Sequence, residues 1–151
     1  MKKKILCLFL FVCLFLTGCS NGFAKREYNS DGKIAKQEDH YSKKNSVYNP
    51  IVGGCQLTVG EFDGRETLWS IVTEEEQEME VSIHFAVSEG QAKIVHVDAD
   101  GTVTTLLEST AETSTEMEET KIVLLKSGKN SLKVVGYDCR DLDVKLLFEE
   151  L

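Results

Sequence analysis

The sequence has 151 residues with 17 basic and 25 acidic side chains, and its formal net charge is −8 at pH 7. A protein that binds duplex nucleic acid through the phosphates needs a basic surface, so this balance excludes nucleic acid as a partner. The length allows one domain with a terminal extension and excludes two sizeable domains.

The N-terminal residues have the organisation of a bacterial export signal. Lysines at positions 2–4 precede an unbroken apolar run over residues 5–16. Such a run is too short for a helix that crosses a bilayer, which needs about 20 apolar residues. We therefore predict that residues 1–18 are a signal peptide and that the mature chain begins at Cys19.

The segment Leu16-Thr17-Gly18-Cys19 resembles the lipobox of bacterial lipoproteins, in which one aliphatic and two small residues precede the modified cysteine. A thiolate readily attacks a lipid donor to form a thioether. The resemblance implies acyl chains on Cys19, and two or more chains hold a protein stably at a membrane. It thus implies a lipid anchor on the extracytoplasmic face of the cell membrane, or outer-membrane sorting in a Gram-negative source.

Residues 20–50 are polar and lack a sustained apolar period. A segment of this composition cannot repay the entropy of ordering, so we predict a flexible tether over residues 19–50. Asn49-Pro50 marks its end. The tether is basic by two charges, whereas residues 51–151 carry eight basic and 21 acidic side chains.

After Pro50 the sequence consists of short apolar runs separated by turn residues such as Asp100-Gly101. Residues 79–87 alternate between apolar and polar, which is the period of a half-buried strand. The other predicted strands are 55–62, 67–73, 93–99, 102–108, 121–126, 131–137 and 141–149. Eight strands predict an all-β fold over residues 51–151, a single antiparallel β-sandwich of jelly-roll or immunoglobulin-like type.

Two cysteines remain in the predicted domain, Cys55 and Cys139. An even pair in an exported domain favours a disulfide, which would close a loop of about 85 residues and contribute about 4 kcal/mol in the chain-entropy model. Two buried free thiols are the alternative. The sequence leaves both arrangements open.

Three features invite a metal or catalytic interpretation. The segment 98–101, Asp-Ala-Asp-Gly, lacks the later ligands of a calcium loop and is predicted to be a hairpin turn. The run 74–78, Glu-Glu-Glu-Gln-Glu, is together with Glu80 the densest charge cluster and is predicted to be a solvated turn between two strands. A three-residue hairpin loop would place His84 opposite His96, but two ligands do not make a zinc site.

The sequence contains no nucleophile elbow, no HExxH motif and no glycine-rich phosphate loop followed by a helix. We therefore predict a protein that is not an enzyme, with no cofactor and no metal. Sugar-binding sandwiches stack their ligands on exposed aromatic rings, and the candidates for such a role are Trp69 and Tyr137. The alternative for both side chains is packing in the core or at its rim.

The domain is similar to small surface lipoproteins of Gram-positive bacteria, and the segment 125–136 has the pattern of their penultimate strands. That likeness implies a fold type without an activity. We expect a membrane-anchored, non-enzymatic binding module for a glycan, a peptide or a host-surface ligand. The alternative is a protein-interaction accessory subunit of an envelope transporter, sensor or wall-associated complex.

Overall fold

The structure is a computed structural model that describes residues 22–110 and 116–150, so the predicted signal peptide and Cys19 lie outside the described residues. The helices are α1 (Gly22–Tyr28) and α2 (Asp31–Ile34). The strands are β1 (His40–Ile51), β2 (Gly54–Thr73), β3 (Gln77–Ala86), β4 (Glu89–Val97), β5 (Val103–Ser109), β6 (Met117–Leu125) and β7 (Gly128–Glu150). Within the described ranges, neither helix has the length and hydropathy of a membrane span.

The fold is an all-β antiparallel sandwich built on two long strands. β2 and β7 pair along their whole length, from Gly54 opposite Leu147 to Thr73 opposite Gly128. β1 pairs with the first half of β2, while β3 and β6 extend the sheet beyond the second half of β7. β4 pairs with the first half of β7 and carries β5 at its other edge. The two long strands therefore belong to both halves of the sandwich.

The long strands contain irregular positions whose residues are also typical of turns, so the sequence predicts turns there. In β2 the register shifts between Phe62 and Gly64, where Gly64 has φ +110° and a side chain would overlap the carbonyl oxygen of His40. In β7, Asp138 and Asp141 have positive φ. The described part of the chain therefore has seven strands where the sequence predicts about eight, because two predicted pairs are the continuous strands β2 and β7 and β1 is added before them.

The main core lies between the inner faces of the two halves. The alternation predicted for residues 79–87 is confirmed, since Val81, Ile83, Phe85 and Val87 are all buried. Ile94 from β4 and Leu146 from β7 belong to the same cluster. Burial of each such side chain contributes roughly 1.5–3 kcal/mol to stability.

A second, smaller apolar cluster lies on the side of β4 and β7 that points away from the main core. It consists of Tyr28, Ile34, Val95, Val97 and Val135. The two helices cover this outer face of the sheet, and their buried apolar residues are completely enclosed or nearly so. One outer face of the sandwich is thus closed by the N-terminal segment.

Residues 19–50 are predicted to be a flexible tether, but from residue 22 onward the structure has two helices and the strand β1. The helices pack on the sheet, and β1 pairs with β2 from His40 opposite Arg65 to Ile51 opposite Gly54. The folded unit therefore begins well before the predicted boundary at residue 51. The sequence gives no sign of β1, because it is an edge strand with mostly exposed side chains. It is held by backbone hydrogen bonds, which require no apolar pattern.

Candidate binding site on the open sheet face

The helices leave uncovered the outer face formed by β3, β6, the first half of β2 and the second half of β7. Side chains on alternate positions of these strands point away from the core. Gln56 lies opposite Lys145, His84 is paired with both Lys145 and Glu118, and the four form one row across the sheet. At the usual strand spacing this polar row spans about 14 Å.

A groove of about 310 Å³ follows the polar row. Its volume lies at the lower end of the range found for small-molecule sites, which is about 300–1,000 Å³. The side chain of Leu147 is 36% exposed and adds an apolar surface. The residues that line the groove are Gln56, Ser82, Ile83, His84, Glu118, Asp143, Lys145 and Leu147.

Hydrogen bonds between neighbouring strands hold several of these side chains in place. Gln56 Nε2 donates to Asp143 Oδ1 at 3.2 Å, and the hydroxyl oxygens of Ser82 and Thr120 are 3.0 Å apart. His84 Nδ1 lies 3.6 Å from a carboxylate oxygen of Glu116. Because these side chains are already ordered, a ligand would bind with a smaller loss of side-chain entropy.

Lys145 occupies the centre of the polar row. Within the described ranges its ammonium has no hydrogen bond and no ion pair, although Asp143 and Glu118 line the same groove. An ammonium carries three N–H donors, and carboxylates are pure acceptors. The groove therefore offers both donors and acceptors to a polar ligand. It brings together no metal site, because no cluster of three His, Cys, Asp or Glu side chains is found in the described part of the chain.

The two aromatic candidates from the sequence lie elsewhere. Trp69 on β2 is half-buried, with its ring centroid 4.5 Å from that of Phe148, at the rim of the main core. Tyr137 packs edge-to-face on Tyr28 at 5.1 Å and donates to Gln91 Oε1 at 2.7 Å. The structure places them in different apolar clusters and does not join them in one platform. A role for either in ligand binding stays a prediction.

Of the two arrangements that the sequence leaves open for Cys55 and Cys139, the structure has the second, because both are buried free thiols. In the β2–β7 pairing Cys55 lies opposite Leu146, whereas Cys139 lies opposite Phe62. Seven residues of β2 separate these positions, which is roughly 23 Å at the rise of a strand. A disulfide needs Cα atoms within about 7 Å.

The pairing of His84 with His96 that a three-residue hairpin loop would have produced does not occur, because β3 and β4 are not hydrogen-bonded neighbours. β3 lies between β6 and β7, while β4 lies between β5 and β7. His96 is buried, with Nε2 3.2 Å from Asn130 Oδ1, and His84 lies on the open face. No shared imidazole site exists between the two.

The segment 98–101 forms the predicted hairpin turn between β4 and β5. Asp98 Oδ1 accepts hydrogen bonds from the backbone N–H groups of Asp100 and Thr102 at 3.0 and 2.8 Å. Lys126 Nζ lies 2.7 Å from Asp98 and 2.8 Å from Asp100. A cation of the protein itself thus occupies the space between the two carboxylates.

The groove residues were not singled out from the sequence, although part of the signal was present. In the predicted strands 55–62, 79–87 and 141–149 the polar positions alternate with the apolar ones, so outward-pointing side chains could be named. What the alternation could not supply is the order of the strands. That order alone brings Gln56, Lys145 and His84 into one row.

No protein-family model and no curated protein matches the chain. Among solved structures, the chain is similar to a CBM35 module from Paenibacillus barcinonensis, at 17% identity over 74% of this chain and 93% of that one, with a TM-score of 0.42. A family 35 carbohydrate binding module from Clostridium thermocellum is 12% identical over 74% and 92%, with a TM-score of 0.39. The module CBM6cm-2 of Cellvibrio mixtus lichenase 5A, in complex with cellotriose, is 10% identical over 74% and 90%, with a TM-score of 0.40.

Proposed function

We propose that the protein is a non-catalytic binding module that holds a hydroxyl-rich extracellular ligand, a glycan, in the groove on the open sheet face. The observation that carries this proposal is the polar row itself: four side chains from four adjacent strands along a groove of about 310 Å³. Sugar hydroxyls both donate and accept hydrogen bonds, and the row offers partners of both kinds on a rigid sheet.

A glycan suits this groove better than an extended peptide does. A peptide that binds by strand addition needs an unpaired strand edge. Along the groove, β2, β7 and β3 each have a partner on both sides, and among the described strands the free edge of β6 lies at the border of the polar row. The binding groups of the groove are therefore side chains. Leu147, beside Ser82 on the neighbouring strand, would contact the C–H face of a sugar ring.

Binding to an array of bacterial cell-wall and animal glycans tests the proposal. The full chain should bind one class of glycan, and Lys145→Ala should weaken that binding about ten-fold, which corresponds to roughly 1.4 kcal/mol. Lys121→Ala is the matched control, because Lys121 on β6 is ion-paired with Glu119 and does not line the groove. Absence of glycan binding, or equal losses in the two variants, would contradict the proposal.

The lipid anchor is part of the same proposal. The lipobox Leu16-Thr17-Gly18-Cys19, directly after a basic and then an apolar segment, supports acylation of Cys19 and location at the outer face of the membrane. We expect a Cys19→Ser variant to leave the membrane fraction in an alkaline carbonate wash. Retention of that variant at the wild-type level would refute the anchor.

A protein-interaction accessory is the second candidate function, and the edge strand β6 favours it. Among the described strands β6 pairs only with β3, and its outward side chains Ile122 and Leu124 are 61% and 47% exposed. An open edge with apolar side chains can accept a strand from another protein. Crosslinking on intact cells separates the two functions: a partner lost in Ile122→Lys but kept in Lys145→Ala would favour the accessory role.

A further inference from the structure

We propose that the surface around α1 docks directly on an anionic lipid surface, so that the groove faces away from the membrane. This surface, the α1 face, consists of the exposed side chains of Lys25 and Arg26 with the adjoining Lys93, which lies over the buried ring of Tyr28. The inference rests on the proposed acylation of Cys19. It adds an orientation and a lipid-binding surface to that anchor.

The covalent distance between the anchor and the folded unit is short. Cys19 precedes Gly22, the first residue of α1, by three residues, which span about 10 Å when fully extended. A flexible tether to residue 50 would instead have allowed about 30 Å. The lipid headgroups are therefore held within about 10 Å of the start of α1, which is close to one Debye length of about 8 Å.

α1 is fixed to the sheet and cannot serve as a swinging linker. Ala24 and Tyr28 are buried. Glu27, also buried, is ion-paired with Arg65 of β2, and His40 Nδ1 lies 3.3 Å from the same carboxylate. Separating α1 from the sheet would leave two charges without their partners, which is costly for buried groups. The anchor thus holds the whole domain, not only its first helix.

The exposed charges of the α1 face are mainly positive. Lys25 and Arg26 are exposed on the helix. Lys93 Nζ lies 4.6 Å from the centroid of the Tyr28 ring, which places a third cation beside the helix. Acidic groups adjoin the helix at two places. Glu108 accepts a hydrogen bond from the Tyr28 hydroxyl. On the Phe23 side, three carboxylates line a groove together with two cations: Glu61, Asp63 and Asp138 with Lys44 and Arg140. Basic side chains close to an anionic leaflet are attracted to it.

The rest of the molecule has the opposite charge. Residues 51–151 carry 21 acidic and eight basic side chains. The acidic segments 74–80 and 116–119 lie on β3, on β6 and in the turn before β3, whereas α1 contacts β2 and β7. An anionic membrane would repel the acidic segments on β3 and β6 and would attract the cations of α1. Both effects favour the orientation in which α1 faces the membrane.

In that orientation the main core separates the membrane from the groove. α1 covers the side of β7 on which Val135 lies, while its neighbour Val134 belongs to the core. On the second half of β7, Lys145 lies on the groove side and its neighbour Val144 belongs to the core. The groove would then be open to ligands that approach from outside the cell.

Lysine footprinting of the acylated full-length protein tests this orientation. The protein is placed in vesicles of equal parts phosphatidylglycerol and phosphatidylcholine, in vesicles of phosphatidylcholine alone, and in detergent. A membrane-impermeant acylating reagent is added, and the extent of labelling at Lys25 and Lys145 is read by mass spectrometry. Neither ammonium has an ion pair within the described ranges, and the two lysines lie on opposite sides of the core. Lys25 is exposed with Nζ 5.9 Å from the centroid of the Tyr137 ring, whereas Lys145 is half-buried, so each lysine is compared with itself across the three media.

We expect labelling of Lys25 to be about five-fold slower in the anionic vesicles than in detergent, with Lys145 unchanged. The protection should disappear in 0.5 M KCl and in the Arg26→Glu variant, but should persist in Lys121→Glu. Equal labelling of Lys25 in all three media, from protein that still floats with the vesicles, would overturn the docking and leave the anchor intact. Protein that does not float with any vesicle would refute the anchor itself, and the docking with it.

Discussion

His96 shows how burial turns a single side chain into a pH-dependent element of stability. Burial lowers the pKa of His96, and its imidazole contacts Asn130 in the interior. In the unfolded chain a histidine has a pKa near 6.5. Below that value the unfolded state takes up the proton more readily than the folded state does. Protonation therefore favours unfolding, and the stability associated with His96 is lost as the pH falls.

We accordingly expect the free energy of unfolding to decrease between pH 7.5 and pH 5, and to decrease less in a His96→Gln variant. Glutamine retains a hydrogen-bonding group beside Asn130 but does not titrate. Urea denaturation at the two pH values measures the difference. An identical pH dependence in the wild type and in the variant would show that His96 does not contribute.

The thiols of Cys55 and Cys139 should be unreactive in the folded protein. Burial, the largest cause, raises the pKa of Cys139 to about 12, and its Sγ donates to the carbonyl oxygen of Gln91 at 3.1 Å. Burial also raises the pKa of Cys55. The reactive thiolate is therefore scarce at both positions.

We expect iodoacetamide at pH 8 to leave both cysteines unmodified in the native protein. Both should be alkylated after denaturation without any reductant. Intact-mass analysis of the two samples checks this directly. Alkylation that requires a reductant would mean that a disulfide is present and that the pairing of β2 with β7 is incorrect.

At the scale of elements, the attachment of α1 depends on the buried pair of Glu27 and Arg65. Removing one partner of a buried ion pair leaves the other charge uncompensated, at a cost of about 3–5 kcal/mol. We expect Glu27→Gln to lower the free energy of unfolding by about that amount. The exposed pair of Lys44 and Glu61 provides the control, since Lys44→Gln should cost less than about 1 kcal/mol. Similar effects of the two substitutions in urea denaturation would contradict the packing of α1.

The strands that the sequence predicts best are those with one buried and one exposed face. The alternation over residues 79–87 predicts β3 to within two residues at each end, because the burial of every second side chain can be inferred from the local sequence. β1 has almost no buried side chain, so it has no such signal. β2 and β7 appear divided because their irregular positions carry glycine and aspartate, which are also the residues of turns.

The candidate site required information that no local pattern contains. The outward positions of Gln56, His84 and Lys145 follow from alternation alone. Their proximity follows from the pairing of β3 with β7, which joins segments about 60 residues apart in the sequence. The same non-local order separates Cys55 from Cys139. The presence of two cysteines in the domain allowed a disulfide, but the register of β2 and β7 places them too far apart to form one.

For the whole molecule, the two outer faces of the sandwich have different roles in the proposed function. The face under α1 and α2 is apolar and closed, and the helix that covers it exposes the cations Lys25 and Arg26. The other face is polar and open, and it carries the groove. A lipid anchor attached three residues before α1 would hold the closed face at the membrane. The open face would then meet ligands of the cell surface or its surroundings.

The central claim is that the groove on the open face is where the ligand binds. Two-dimensional NMR of the isotope-labelled protein in detergent, titrated with the glycan that the array identifies, tests it most directly. We expect the largest amide shift changes at residues 56, 82–84, 118 and 143–147, and their loss in Lys145→Ala. Shift changes centred on Trp69 or on the α1 face, with the groove residues unmoved, would contradict the account.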